Sequence, residues 1–302
     1  MKESKEIIYE HTCVDKALHR LNVWFLPFQW GINPYRGCEH DCMYCNARYT
    51  HEYLGISTGN FAHKIIVKDN AAEALDKELS KEKWNKNWTV NMATVTDPYQ
   101  PAENEFKITR EILKIFFKHH NALMVTTKSD LILRDVDILK EIAQTGFLNV
   151  VITIPVLDED LRKKIEPKAP TIRRRLEVVK QIHDAGITIG VTSIPLLPYI
   201  TDNESQLENL IKDISKSGAD YLIIDMLNFR EEARSRVMPF IKEYYPELYS
   251  DYEILYKTDY CDKEYAKKVR KYSNSLIKKY KLDNYDKMFS YRKKGNVANE
   301  GK

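Results

Sequence analysis

The feature that most constrains the fold is an alternation of short apolar segments with charged, amphipathic ones. The apolar segments are rich in aliphatic and β-branched residues and lie at 88–95, 122–127, 147–154, 187–197 and 221–227. Most lack strict alternation, which indicates strands that are covered on both faces. The segments between them have helical periodicity. One begins at Asp135 and ends at Gly146, and another begins with Thr109 as a candidate N-cap.

Repetition of strand and helix predicts parallel βαβ units. The region 28–37 can supply one more strand, which brings the total to about six units. We therefore predict an α/β fold, a partial (β/α)6 TIM-like barrel with a C-terminal helical extension. The predicted regions are an N-terminal extension at 1–27, the barrel core at 28–230, the helical extension at 231–292 and a frayed tail at 293–302. Functional residues of such barrels lie at the carboxyl ends of the strands.

Three of the five cysteines, Cys38, Cys42 and Cys45, have the spacing C-x3-C-x2-C. An odd, clustered set does not fit a secreted disulfide framework and favours a metal or cluster site in a reducing compartment. Thiolates are soft ligands that suit zinc or an iron–sulfur cluster. Structural zinc needs a fourth ligand, and His40 or His51 can supply it. Alternatively, three thiolates can hold a [4Fe–4S] cluster and leave one iron open to a small molecule.

An aromatic residue, Tyr44, precedes the third cysteine, and Gly37 precedes the first. With these neighbours the motif resembles the signature of the radical SAM superfamily, whose fold is a partial (β/α)6 barrel. The resemblance implies an enzyme with a [4Fe–4S] cluster that binds S-adenosylmethionine and cleaves it reductively. The resulting 5′-deoxyadenosyl radical would abstract hydrogen from a substrate, and the cofactor would carry the difficult chemistry. The resemblance also implies a reductant such as flavodoxin or ferredoxin.

Further motifs at the predicted strand ends resemble the spore photoproduct lyase-like branch of that superfamily, over roughly residues 28–230. These motifs are TVTDPYQPAE at 94–103, TTKSD at 126–130, EPKAP and RRRLE within 166–177, and TSIPLLPYITD at 192–202. Because strand ends converge on one mouth, their hydroxyl, carboxylate and ammonium groups can face a common ligand. The cofactor-binding residues that we expect are Tyr44, Thr94, Thr96, Asp97, Lys128, Ser129, Thr153, Glu166 and Arg174.

The resemblance implies more specific roles for four of these positions. Thr96 and Lys128 match positions that contact the methionyl part of the cofactor in spore photoproduct lyase, and a lysine suits a carboxylate as a point charge. Glu166 matches the acidic member of a Glu–Arg pair of that branch. The basic member is one of Arg173, Arg174 and Arg175, which point to different sides of a helix, so the choice among them is left open.

One departure from the branch concerns the return of hydrogen. In spore photoproduct lyase a cysteine at the end of the second strand returns it, whereas the equivalent position here lies around Thr94. No cysteine lies between Cys45 and Cys261. Thymine-dimer repair by the same route is therefore not expected. We name Tyr99 and Cys261 as candidate catalytic residues, with a small buried packing residue as the alternative interpretation of Cys261.

Two substrate classes remain open from the sequence. One is a nucleic acid or nucleotide, and the other is a peptide. A net charge of +3 does not identify a nucleic-acid binder. The Tyr- and Lys-rich stretch 243–292 is expected to pack as helices on the barrel rather than to line a nucleic-acid path. Neither a membrane-length apolar run nor a secretion signal is evident, so we expect no membrane association and a cytoplasmic location. The alternative functions are a zinc-stabilised, non-enzymatic binding protein and a nucleic-acid lesion lyase of the spore photoproduct lyase type that uses a different hydrogen donor.

Overall fold

The structure is a computed structural model that describes residues 6–21, 28–230 and 232–283. The strands are β1 (Ile8–Thr12), β2 (Leu18–Arg20), β3 (Trp30–Ile32), β4 (Tyr35–Arg36), β5 (Lys64–Lys68), β6 (Val90–Met92), β7 (Leu123–Thr127), β8 (Leu148–Thr153), β9 (Ile189–Leu196) and β10 (Tyr221–Met226). The α-helices are α1 (Ala71–Leu79), α2 (Ala102–Phe106), α3 (Ile108–His119), α4 (Val136–Thr145), α5 (Glu159–Ile165), α6 (Ile172–Asp184), α7 (Glu204–Lys216), α8 (Ala233–Tyr244), α9 (Tyr249–Leu255) and α10 (Lys263–Lys279).

The main sheet has the strand order β10-β9-β8-β7-β6-β3-β2. In this sheet β3, β6, β7, β8, β9 and β10 are paired in parallel. The edge strand β2 pairs with β3 in antiparallel fashion. The six parallel strands confirm the partial barrel predicted from the sequence. A second, smaller sheet has the strand order β1-β5-β4. Its strands β4 and β5 come between β3 and β6 in the chain, whereas β1 comes near the start of the described residues. The strands that the structure describes thus form an open barrel with β2 and β10 at its edges.

The apolar segments become strands because both of their faces are covered. Every residue of β8 is buried, which explains why its sequence lacks alternation. Helix α4 begins after Asp135 and ends before Gly146, as predicted. The predicted N-cap at Thr109 is wrong, because α3 starts at Ile108 and the Thr109 hydroxyl instead donates to the Pro98 carbonyl at 2.5 Å.

The two ends of the chain contribute to the barrel in different ways. Within the region predicted as an N-terminal extension, β1 joins the small sheet and β2 joins the main sheet. In the C-terminal region Tyr252 and Tyr256 are buried, so these tyrosines pack against the protein as expected. Residues 284–292 of the predicted extension and the predicted tail lie outside the described residues. None of the described helices has the length and apolar character that crossing a membrane requires.

Candidate cofactor site

The cysteine loop leaves β4 through a turn that requires glycine. Gly37 has φ +87°, and a Cβ atom there would lie 2.8 Å from the Phe61 carbonyl oxygen. The next residue, Cys38, donates its backbone N–H to that same carbonyl at 3.0 Å. After Cys45 the chain continues as a 3-10 helix over Asn46–Leu54. The loop is therefore held against the barrel at both ends.

The three clustered cysteines line a single cavity at the carboxyl ends of the parallel strands. Cys38 and Cys42 are buried, Cys45 is partly buried, and all three are free thiols. The predicted residues that line the same cavity are Tyr44, Thr94, Thr96, Asp97, Lys128 and Thr153. The structure thus brings together residues from the ends of β6, β7 and β8 around the cysteine loop.

The thiols suit a cationic cluster. Burial raises the pKa of Cys38 well above its usual range and that of Cys42 to about 12, so neither thiolate forms readily without a cation beside it. In the part of the chain that the structure describes, no three His, Cys, Asp or Glu side chains converge as the ligands of a single metal ion would. The ligands of a [4Fe–4S] cluster bind separate irons and need no such convergence. Three free thiols that line one cavity are a donor set that fits such a cluster.

Asp97 joins the cysteine loop to the end of β7. Its carboxylate accepts hydrogen bonds from the Thr127 hydroxyl at 2.6 Å and the Lys128 backbone N–H at 2.9 Å. It also faces Nδ1 of His40 at 3.3 Å, with both side chains buried. Burial alone would raise the pKa of Asp97, but His40 and these hydrogen bonds lower it to about 2. His40, a candidate zinc ligand from the sequence, is thus engaged by Asp97.

The other candidate zinc ligand, His51, is also engaged elsewhere. Its side chain is buried, and its Nε2 lies 2.9 Å from the Lys64 carbonyl oxygen. The ring also packs against Phe61, with 5.1 Å between ring centroids. His51 therefore helps to hold the cysteine loop against β5.

Behind the cysteines lies a buried network centred on Glu166. Its carboxylate has no exposed surface, accepts a hydrogen bond from the Tyr44 hydroxyl and pairs with Arg175 at 2.5 Å. Lys128 Nζ lies 4.0 Å from the same carboxylate. Burial opposes ionisation of Glu166, but Arg175 and Lys128 hold its pKa below the usual value. Burial also opposes the charge on Lys128, whose pKa is nevertheless raised by Cys42 and Glu166.

The structure selects one of the three consecutive arginines, and it is not Arg174. Arg175 is fully buried against Glu166, whereas the Arg174 side chain is 41% exposed and pairs with Asp130 at 2.8 Å. Arg173 is 90% exposed. Successive residues of a helix point about 100° apart, and the Thr171 cap sets where α6 begins. The buried partner of Glu166 is therefore Arg175, and Arg174, which we expected at the cofactor, does not line the cysteine cavity.

Several predicted hydroxyl groups shape the cavity by holding backbone or side-chain groups. The Thr96 hydroxyl donates to the Gly37 carbonyl at 2.5 Å, and the Thr153 hydroxyl lies 3.1 Å from that of Thr192. The Thr94 hydroxyl accepts a hydrogen bond from Asn33 at 2.7 Å. Ser129 does not line the cavity and instead caps the following turn by accepting from the Leu131 N–H.

Gln100 was missed as a functional residue by the sequence reasoning. It is fully buried and donates from Nε2 to the Gly37 carbonyl at 3.1 Å. Its Oε1 accepts the Glu39 backbone N–H at 3.0 Å. Gln100 thus clamps both sides of Cys38. The only signal was its place within the strand-end motif at 94–103.

Neither candidate catalytic residue lines the cavity. Tyr99 is buried with its hydroxyl beside Asp135, and it faces the neighbouring groove instead. Cys261 is buried beside Tyr256. Its segment is linked to the residue after Cys45, because Tyr260 bridges to Asn228, whose side chain accepts a hydrogen bond from Asn46 at 2.6 Å. The geometry therefore leaves both residues apart from the cysteine cavity.

Comparison with known proteins gives a consistent assignment. The family model described as "Radical SAM superfamily" matches residues 32–237. An uncharacterized protein of Mycobacterium tuberculosis is 34% identical over 279 residues, which is 91% of this chain and 82% of the relative. An uncharacterized protein of Methanocaldococcus jannaschii is 31% identical over 235 residues, or 78% and 83% of the two chains.

Among solved structures, a spore photoproduct lyase variant with bound AdoMet and dinucleoside spore photoproduct matches with a TM-score of 0.66. It is 15% identical, and the match covers 92% of this chain and 80% of the lyase. At this identity the likeness concerns the fold.

Proposed function

Because the chain belongs to the radical SAM superfamily, a family of enzymes that use a [4Fe–4S] cluster and S-adenosylmethionine, we propose that Cys38, Cys42 and Cys45 hold that cluster in this protein. When bound, the cluster and S-adenosylmethionine would supply a 5′-deoxyadenosyl radical that abstracts hydrogen from a substrate. A flavodoxin or ferredoxin would deliver the electron. The observation that carries the proposal is the single cavity that these thiols share with the strand-end residues.

The chain's own residues divide the work of binding and positioning. Lys128 is held charged at the cavity wall, where its ammonium group suits the carboxylate of S-adenosylmethionine. Thr96 and Gln100 both hold the Gly37 carbonyl and so fix the start of the cysteine loop. The Tyr44–Glu166 contact fixes its end. Such support keeps the three thiols in place before the cofactors bind.

We propose a nucleotide or nucleic acid as the substrate class. The similarity of fold to a lyase whose structure holds a dinucleoside supports this choice. The proposal does not include thymine-dimer repair with a strand-end thiol. The resemblance puts the equivalent position around Thr94, whose hydroxyl is engaged by Asn33 and His19. A peptide substrate is the alternative that the substrate experiment below distinguishes.

Anaerobic reconstitution with iron and sulfide tests the cofactor assignment. The wild-type protein should become brown and, after reduction, cleave S-adenosylmethionine to 5′-deoxyadenosine and methionine. Cys42→Ala should lose both properties. Cys13→Ala is the matched control, since this exposed thiol lies outside the cavity and the variant should keep both. A colourless protein that binds zinc tightly, or a Cys42→Ala variant with an intact cluster, would contradict the proposal.

The substrate class is tested by following deuterium into 5′-deoxyadenosine. The reconstituted protein is incubated anaerobically with deuterated oligonucleotides, nucleotides or peptides. Label from a nucleotide or oligonucleotide supports the proposed class. Label from peptides alone would overturn it and leave the cofactor assignment intact.

A further inference from the structure

Two cationic side chains of the small sheet have no carboxylate partner among the described residues. Arg36 lies in β4 and Lys68 ends β5, and these strands pair in antiparallel fashion with Arg36 opposite Ile66. Side chains two residues apart on a strand share a face, so Arg36 and Lys68 are neighbours on one face of the small sheet. Arg36 donates to the Thr50 carbonyl at 3.1 Å. In the described part of the chain, Lys68 Nζ has no hydrogen-bond or ion-pair partner.

The other cations of this region are paired. Arg48 contacts Asp41 at 2.6 Å, and Arg175 contacts Glu166 at 2.5 Å. Lys64, on the same strand and face as Lys68, pairs with Glu10 at 2.7 Å. A partly buried cation without a counterion is costly, and burial together with Arg36 lowers the pKa of Lys68 to about 8. This part of the structure therefore has an excess of positive charge that an anion would relieve.

A third group connects these cations to the cofactor cavity. His19 Nε2 lies 3.0 Å from the hydroxyl of Thr94, which lines that cavity. Gly31 leaves room for this ring, because a Cβ atom there would lie 2.6 Å from His19 Nε2. Burial, together with the Lys68 charge, lowers the pKa of His19 to about 4, so the ring is neutral at pH 7. His19 thus connects Lys68 to the Thr94 wall of the cavity, and Arg36 is two residues before Cys38.

We propose that Arg36 and Lys68 form an anion subsite beside the cofactor cavity and bind a phosphate group of the substrate. A guanidinium fork and a lysine point charge together suit phosphate oxygens. Lys68 keeps part of its surface exposed, so a ligand can reach it. The inference rests on the proposed function, because the phosphate belongs to the molecule that the cofactor's radical attacks. The proposed subsite restricts the substrate class to molecules that carry a phosphate group.

Titration calorimetry of the reconstituted protein with inorganic phosphate, and separately with acetate, tests this subsite. Phosphate should bind saturably to the wild type and more tightly than acetate. Lys68→Met should weaken phosphate binding at least tenfold, and Lys68→Arg should restore most of it. Lys64→Met is the matched control, since it removes a lysine from the same strand that already has a partner, and it should bind phosphate as the wild type does.

Each other outcome overturns the subsite. One is phosphate binding that does not saturate, and another is acetate binding as tight as phosphate binding. The others are a phosphate affinity of Lys68→Met equal to that of the wild type, and a loss of phosphate affinity in Lys64→Met equal to that in Lys68→Met. The calorimetry requires no turnover, so its failure is separate from failure of the proposed function. Absence of S-adenosylmethionine cleavage by the reconstituted wild type would overturn the latter, whatever the phosphate result.

Discussion

Replacing Arg175 by methionine should destabilise the protein severely. The Arg175 guanidinium has no exposed surface and makes three polar contacts within the protein. One terminal nitrogen pairs with Glu166 at 2.5 Å, and the other donates to the Thr153 carbonyl at 3.0 Å. Nε donates to the Pro170 carbonyl at 3.0 Å. Methionine fills a similar space but leaves all three acceptors without this donor.

The magnitude follows from what remains around Glu166. Removing one partner of a buried ion pair costs about 3–5 kcal/mol, because the other charge stays buried. Lys128 at 4.0 Å and the Tyr44 hydroxyl compensate in part, whereas the two carbonyls that lose a donor add to the cost. We therefore expect a loss of about 4 kcal/mol, which is a large share of the 5–15 kcal/mol that is typical of folded proteins.

Urea denaturation followed by circular dichroism measures this loss, and Arg174→Met is the matched control. Arg174 is the neighbouring residue, but its ion pair with Asp130 is exposed, so its removal should cost at most about 1 kcal/mol. Adding Glu166→Gln to Arg175→Met should restore part of the stability, since no buried charge then remains unpaired. Equal losses in the two arginine variants would refute the reasoning.

Two further predictions concern lysines. Lys128→Met should lower the affinity of the reconstituted protein for S-adenosylmethionine about 10- to 150-fold, since a charge-assisted hydrogen bond contributes about 1.5–3 kcal/mol. Equilibrium binding measures this, and the exposed control Lys163→Met should keep the wild-type affinity. For Lys68, a pKa lowered to about 8 means that the unfolded chain holds this proton to higher pH than the folded chain. The free energy of unfolding should therefore rise between about pH 8 and 10 relative to Lys68→Met. A constant difference across that range would contradict the assignment of a partly buried cation beside Arg36 and His19.

The strands of the barrel and the cysteine motif were predictable because both are recorded locally in the chain. A strand buried on both faces, such as β8, needs a continuous apolar run, and such a run is visible in the sequence. Three thiols spaced C-x3-C-x2-C need only one loop to bring them together. The strand-end motifs were informative for the same reason, because parallel strands place all their carboxyl ends at one mouth.

Other features depended on the three-dimensional arrangement. Which of three consecutive arginines meets Glu166 depends on the rotation of α6 against the sheet, and helical periodicity does not specify that rotation relative to a distant carboxylate. Tyr99 follows a strand end, yet it turns away because Asp97 and Gln100 take the positions that face the cysteine loop.

The same reason applies to the N-terminal strands and the proposed anion subsite. Strands β1 and β2 are short, and their partners lie far along the chain, as in the pairing of Ile8 with Lys64. His19, Arg36 and Lys68 are also separated in sequence. The pairing of β4 with β5 makes Arg36 and Lys68 neighbours, and the pairing of β2 with β3 positions His19. Local patterns thus record which residues are buried and how they are spaced. The packing of the whole chain decides which distant residues come into contact. Those contacts in turn set the charge balance and the direction of each side chain.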